Sequence, residues 1–176
     1  MADRTSRRTP RRRGLPEAVK TVVGIFTPAA VVFVLFTFVL GLGSVRGSSM
    51  EPLYNGSTMT LFFRWTEPKH QDIVLVDSEA LDEMIIKRVI ALPGDRVSVQ
   101  NSVVYLNGEA LDEPYVAYPG GPDLAELTVP EDTIFVLGDN RAVSLDSRSS
   151  LLGPVPAREV MGTVLFSFQL PFSTDN

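Results

Sequence analysis

The chain has 176 residues, of which 44% are hydrophobic and 21% are charged, so it can build a core and is not a disordered or low-complexity chain. It has no cysteine and one histidine, His70, which excludes disulfides, thiolate metal sites and a cysteine nucleophile. Residues 1–20 hold seven basic and two acidic residues, whereas the rest of the chain holds nine basic and 19 acidic residues. This acidic body argues against nucleic-acid binding.

An uncharged apolar segment, residues 21–42, follows the basic arm of residues 1–20. As a helix it would extend roughly 33 Å, about the thickness of a bilayer core, and membrane helices tolerate an internal proline such as Pro28. The arginines before it predict that the arm is cytoplasmic and that the chain then crosses the membrane once. A buried core helix and a cleavable signal peptide are the alternatives, but the run exceeds the roughly 7–15 apolar residues of a signal peptide.

Residues 43–176 are predicted to form an extracytoplasmic domain that is mainly β, an antiparallel sandwich or partly open barrel. Short apolar runs alternate with turn signals such as Asn101-Ser102 and Asn107-Gly108, and no long amphipathic helix pattern is present. The predicted strands cover residues 58–63, 72–76, 84–92, 96–100, 103–106, 133–137 and 160–168.

Three segments of this domain carry residues suited to chemistry. The first, residues 47–52, places serines on a loop a few residues beyond the apolar span. In the second, residues 84–95, strand alternation puts Lys87 on one face with Ile85 and Val89. Apolar neighbours favour a neutral lysine, which can accept the proton of a serine hydroxyl. The third, residues 138–148, is rich in turn formers and hydrogen-bonding groups. Each segment alone also has a simpler interpretation. The first can be a plain loop, the second a strand whose edge lysine reaches water, and the third a polar turn.

In this order, behind an N-terminal anchor, the three segments resemble the motifs of type I signal peptidases, which are membrane-bound Ser/Lys endopeptidases. Residues 49–52 match S-M-x-P, residues 87–95 match K-R-x-x-x-x-P-G-D, and residues 138–148 match G-D-N-R-x-x-S-x-D-S-R at every fixed position. Residues 72–74 resemble the family's G-D-[IV]-V strand, with Gln71 in place of the glycine. The resemblance extends over roughly residues 20–168.

The resemblance implies catalytic roles for three residues. Ser49 is expected to be the nucleophile and Lys87 the general base, with Ser144 orienting the lysine amine through a hydrogen bond. The Ser49 backbone N–H is expected to bind the oxyanion. Gly47 occupies the position where some members carry a second oxyanion donor, a serine.

The resemblance also implies supporting residues. Asp139 with Arg88, and Asp146 with Arg148, are expected to be structural ion pairs. Apolar residues near the dyad are expected to form shallow pockets that accept small side chains at the first and third positions before the cut. The candidate pocket walls are Met50, Ile85 and Ile86.

The implied function is removal of N-terminal signal peptides from exported preproteins at the outer face of the cytoplasmic membrane, after an Ala-X-Ala type sequence. The expected partners are these preproteins, the lipid bilayer and a nearby secretion translocon; no cofactor, metal or nucleic acid is expected. A non-catalytic membrane-tethered β module would be expected to lack the serine or the lysine. A self-cleaving repressor-type Ser/Lys protease would carry a DNA-binding domain in place of the apolar span, and a sortase would need a cysteine.

Overall fold

The computed structural model describes residues 16–44, 47–54 and 58–169. It begins with helix α1, Glu17–Val34, continues with a π-helical turn, Leu35–Val39, and passes directly into strand β1, Leu40–Ser44. A 3₁₀ turn, Ala157–Glu159, precedes the last strand. The remaining strands are β2 (Thr58–Phe63), β3 (Ile73–Ser78), β4 (Glu83–Ala91), β5 (Arg96–Gln100), β6 (Val103–Leu106), β7 (Glu109–Ala110), β8 (Leu124–Thr128), β9 (Thr133–Leu137), β10 (Val155–Pro156) and β11 (Val160–Gln169).

Helix α1 and the π-helical turn form one apolar helix, Glu17–Val39, with a mean hydropathy of 2.5 and none of its side chains buried in the protein. It is long and apolar enough to cross a membrane. The helix begins earlier than the predicted segment of residues 21–42 and also ends earlier. Its last three predicted residues belong to β1, because they pair with β2 through backbone hydrogen bonds. Most of the predicted basic arm, residues 1–15, lies outside the described residues.

The β domain contains two antiparallel sheets. One has the strand order β1-β2-β11-β3-β4-β9-β10 and the other β7-β6-β5-β8. Every pair of neighbouring strands is antiparallel. The prediction of a mainly antiparallel β fold behind an N-terminal apolar helix is therefore confirmed.

Strand β4 is fixed by all three apolar clusters of the core. Ile85 and Val89 belong to a cluster shared with β3 and β9, and Ile90 belongs to one shared with β5 and β9. Ile86 packs with Met50 in the third. Because apolar side chains hold both faces of this strand, Lys87 is presented in a defined direction from a rigid element.

Candidate active site

Ser49 and Lys87 meet although they are 38 positions apart in the chain: Lys87 Nζ and Ser49 Oγ are hydrogen-bonded at 2.8 Å. Lys87 belongs to β4, whereas Ser49 lies in the turn that follows β1. Backbone hydrogen bonds hold that turn, and within it Glu51 N donates to Ser48 O at 3.2 Å. Asn140 N donates to Ser49 O at 3.0 Å, and Tyr54 N donates to Met50 O at 2.9 Å. The loop of residues 138–148, the signature loop, thus fixes the serine-bearing turn.

The surroundings of Lys87 favour its neutral form. Its side chain is nearly buried, 3% exposed, and this burial lowers its pKa to about 8. The carboxylates of Asp146 and Glu83 act in the opposite direction, because each favours the ammonium. About a tenth of a lysine with this pKa is neutral at pH 7. A neutral Nζ at 2.8 Å is positioned to take the Ser49 hydroxyl proton.

Ser144 lies beside the dyad, but the predicted hydrogen bond to Lys87 is not formed in this structure. Its hydroxyl oxygen is buried and has no hydrogen-bond partner among the described residues. It packs against Gly138, where an added Cβ would overlap with Ser144 Oγ and lie 2.5 Å from the carbonyl oxygen of Ser49. Ser144 is therefore held close to the Ser49 backbone, and only a glycine fits between the two.

Both predicted ion pairs are present and buried. Arg88 Nε and Nη2 donate to the two carboxylate oxygens of Asp139 at 2.8 and 2.6 Å. Arg148 binds Asp146 in the same bidentate way, at 2.8 and 2.9 Å. Asp146 also accepts a hydrogen bond from Gly138 N at 3.2 Å. The first pair ties β4 to the signature loop and the second fixes that loop internally.

A third buried pair was not assigned from the sequence. Arg141 donates two hydrogen bonds to Glu113, of 2.9 and 2.6 Å, and its Nε donates to Gly138 O at 3.0 Å. The side chains are only 2% and 9% exposed. Arg141 is a fixed position of the third motif, which was the one available signal. The sequence around Glu113 contains no pattern that predicts a pairing with Arg141, which lies 28 residues further along the chain.

A cleft of about 640 Å³ opens beside the dyad. Ile85 and Ile86 line it, as predicted for pocket walls. Met50 does not line it: its side chain is fully buried, at 0% exposure, and packs behind the cleft against Ile86. The lining residues are Ser44, Gly47, Ser48, Ser49, Glu83, Met84, Ile85, Ile86, Lys87, Val143 and Leu145.

The strand that carries Lys87 has a free backbone edge at this cleft. Residues 83–88 of β4 pair with β3, but the β9 side of β4 is paired only from Arg88 onward. The segment from Glu83 to Lys87 lines the cleft, and within the described residues no strand pairs with it on that side. An edge of this kind can bind an extended peptide as an additional strand.

A serine hydroxyl hydrogen-bonded to a buried lysine, in a cleft with a free strand edge, is the arrangement expected of a peptidase that uses a serine nucleophile. The chain matches the family model described as "Signal peptidase, peptidase S26" over residues 18–169. It is 35% identical to signal peptidase I of Bacillus licheniformis, over 94% of each chain. It is 32% identical to signal peptidase I U of Bacillus subtilis, over 82% of this chain and 85% of that protein.

A solved structure agrees with these relatives. The crystal structure of a signal peptidase I from Enterococcus faecalis superimposes with a TM-score of 0.51 at 33% identity, over 57% of this chain and 98% of that one. The chain therefore belongs to the signal peptidase family, peptidase S26, and is a serine peptidase. This membership decides against the non-catalytic module, the repressor-type protease and the sortase.

Proposed function

We propose that the chain is a membrane-anchored endopeptidase that removes signal peptides from exported preproteins at the outer face of the cytoplasmic membrane. The observation that carries the proposal is the 2.8 Å hydrogen bond between Ser49 Oγ and a buried Lys87 whose pKa is lowered to about 8. Family membership supports the substrate class. The apolar helix Glu17–Val39 supports the anchor, and the division into basic arm, anchor and β domain follows from it.

Chemistry begins when neutral Lys87 accepts the Ser49 proton and Ser49 Oγ attacks the scissile carbonyl carbon. The backbone N–H of Ser49 donates to the oxyanion of the tetrahedral intermediate. The Lys87 ammonium returns its proton to the leaving amine, and an acyl-enzyme remains. Lys87 then takes a proton from the water that attacks the ester, and it returns this proton to Ser49 Oγ as the ester bond breaks, which releases the acid product and restores both residues. Ser144, a buried hydroxyl beside the Ser49 backbone with no hydrogen-bond partner among the described residues, is free to accept a hydrogen bond from the Lys87 ammonium when that forms.

The substrate binds as an extended strand along the free edge of residues 83–87. Backbone hydrogen bonds hold it without regard to sequence. Ile85 and Ile86 form an apolar wall that leaves room for small side chains such as alanine and excludes larger ones. Cleavage after an Ala-X-Ala type sequence follows. Arginines before the helix keep the N-terminus in the cytoplasm, so the β domain meets its substrates outside, near the translocon.

The test is cleavage of a preprotein carrying Ala-X-Ala by the purified full chain in detergent, with the new N-terminus mapped. Ser49→Ala and Lys87→Arg each abolish cleavage, because a guanidinium does not release its proton at usable pH. Ser48→Ala is the matched control and keeps activity, since Ser48 lines the same cleft. Activity in Ser49→Ala, or its loss in Ser48→Ala, would move the nucleophile to Ser48 and contradict the proposed mechanism.

A further inference from the structure

The turn after β2 caps the C-terminal end of the apolar helix. The last carbonyls of a helix lack partners within it, and in a membrane such groups must be satisfied by protein. Here the indole Nε1 of Trp65 donates to Phe38 O. The backbone N of Arg64 donates to Val39 O at 3.0 Å, and its Nε donates to Leu40 O at 3.3 Å. Two adjacent residues thus supply donors to three consecutive carbonyls where the helix becomes strand β1.

The side chains of this turn remain at the surface. Trp65 is 75% exposed although its indole N–H is bonded. Arg64 is also exposed, makes no ion pair within the described part of the chain, and has its guanidinium carbon 5.1 Å from the Phe62 ring centre. Tryptophan is enriched where apolar helices leave a membrane, and a guanidinium without a carboxylate partner suits a lipid phosphate.

We propose that Arg64 and Trp65 form a membrane-interface anchor that binds phospholipid headgroups on the side of the bilayer where the β domain lies. The Trp65 ring lies at headgroup depth, and the Arg64 guanidinium pairs with lipid phosphate. Because the same residues are bonded to the helix end, the anchor joins helix and sheet into one rigid unit. The proposal rests on the proposed membrane anchoring through Glu17–Val39.

The anchor sets the height of the cleft above the lipid. Strand β1 starts at Leu40, where the helix ends, and finishes at Ser44, which lines the cleft. The four residue steps from Leu40 to Ser44 extend about 13 Å. Leu40, the first residue after the helix, pairs with Phe63 of β2, and Arg64 directly follows Phe63 in the chain. If the turn lies at the headgroups, the distance from the hydrocarbon to the cleft is about the length of strand β1. The cleft therefore meets a substrate close to the membrane surface.

The first experiment uses the fact that Trp65 is the one tryptophan of the chain. The full chain is reconstituted into phosphatidylcholine vesicles that carry quenchers at the headgroup, the upper acyl chain or the bilayer centre. Trp65 emission is expected to be quenched most by the headgroup and upper-chain probes. In a Trp65→Phe background, Phe26→Trp reports the middle of the helix Glu17–Val39 and is expected to be quenched from the centre. Val103→Trp, on β6 of the smaller sheet, is expected to stay unquenched.

The outcomes separate the two proposals. Quenching of Trp65 no stronger than that of Val103→Trp, together with central quenching of Phe26→Trp, would overturn the interface anchor and leave the membrane helix standing. Failure of Phe26→Trp to be quenched from any depth would contradict the membrane helix and the anchor together.

A second experiment measures the effect of the anchor on activity. The double variant Arg64→Ala, Trp65→Ala is compared with Arg158→Ala, which removes an exposed arginine elsewhere. We expect kcat/KM on a membrane-inserted preprotein to fall about tenfold, with little change on a short soluble peptide carrying the same cleavage site. Equal losses on both substrates would show a structural role only, and unchanged rates on both would remove the positioning role.

Discussion

The surroundings of Lys87 set the protonation state of its amine. Strand alternation correctly placed Ile85 and Val89 in one apolar cluster near this lysine, so desolvation was predictable. The opposing carboxylates were not predictable in the same way. Asp146 comes from a loop 59 positions away, and Glu83 lies one residue before the predicted strand of residues 84–92, although in the structure it belongs to β4 and shares the face of Lys87. The pKa is about 8 because burial lowers it by more than the two carboxylates raise it.

The activity should follow the neutral fraction of Lys87. Since the amine works when deprotonated, kcat/KM rises from acid pH to a plateau, with its midpoint near pH 8. Glu83→Gln removes a charge that favours the ammonium, so the midpoint moves to lower pH. Glu109→Gln, on β7, is the control and leaves the profile unchanged. A rate profile from pH 5 to 11 checks this; a midpoint near the 10.5 of free lysine would refute the buried base.

Gly138 should be required for its lack of a side chain. A Cβ there would overlap with Ser144 Oγ and crowd Ser49 O, so Gly138→Ala displaces the serine-bearing turn. We expect kcat to fall roughly 100-fold, because small misplacements of reacting groups have effects of this size. Gly24→Ala is the control, since no atom lies within 4 Å of its added Cβ. Steady-state kinetics of the two variants test this, and a Gly138→Ala rate equal to that of Gly24→Ala would contradict it.

Among the elements, the strands with strong apolar patterns were predicted well and the weak ones were missed. Residues 58–63, 96–100, 103–106 and 133–137 are strands as predicted. The first three residues of strand β1 were assigned to the membrane segment, because apolar content does not distinguish a lipid-facing helix from a glycine-containing strand. Gly41 permits the strand there, since a Cβ would collide with the Phe62 ring. Strand β8 was missed because its side chains are mostly exposed and carry no apolar alternation.

The links between loops were the least predictable part of the site. The motifs gave Ser49, Lys87 and both expected ion pairs, because these residues occur in fixed local patterns. The pair of Glu113 with Arg141 depends on how the segment before β8 folds back onto the signature loop. Met50 was expected in the cleft because it follows Ser49, but the turn directs it into the core.

The Glu113–Arg141 pair should stabilise the fold far more than an exposed pair does. Glu113→Gln leaves a buried guanidinium without its carboxylate, so we expect a loss of about 3 kcal/mol in the free energy of unfolding. Glu126→Gln is the matched control: its pair with Arg96 is 3.6 Å long and about half exposed, and its removal should change stability by less than about 1 kcal/mol. Denaturant unfolding of both variants measures the difference. Equal effects would show that the buried pair contributes no more than the exposed one.

At the scale of the whole molecule, the sequence indicated an apolar membrane segment followed by a β domain. The structure shows how the two are joined. The apolar helix has no buried side chain, whereas β4 and β9 are almost fully buried. Charge patterning could suggest an orientation, but it could not reveal the direct passage from helix to strand or the bonds from Arg64 and Trp65 to the helix end. Those features depend on a turn more than 20 residues further along the chain.

The orientation of the whole chain in the membrane is expected to follow from its charge distribution. The arginines of residues 1–13 should hold the N-terminus in the cytoplasm, with residues 44–176 outside. Protease added to intact spheroplasts is expected to digest a C-terminal tag and spare an N-terminal one, with both tags digested after lysis as the control. Digestion of the N-terminal tag alone would reverse the orientation and remove the proposed access to exported proteins.

The free edge of β4 also bears on how copies of this protein meet one another. An open strand edge attracts the strands of neighbouring molecules as readily as those of a substrate, and such edges are a common start of aggregation. Glu83 stands at the beginning of this edge, and the dyad lysine stands four residues along it. If two copies paired edge to edge in antiparallel register about Ile85, Glu83 of each copy would lie opposite Lys87 of the other, and opposite charges across a strand pair favour the pairing. Such a pairing would cover the cleft that this edge lines, so self-association through the edge and entry of a peptide into the cleft exclude one another.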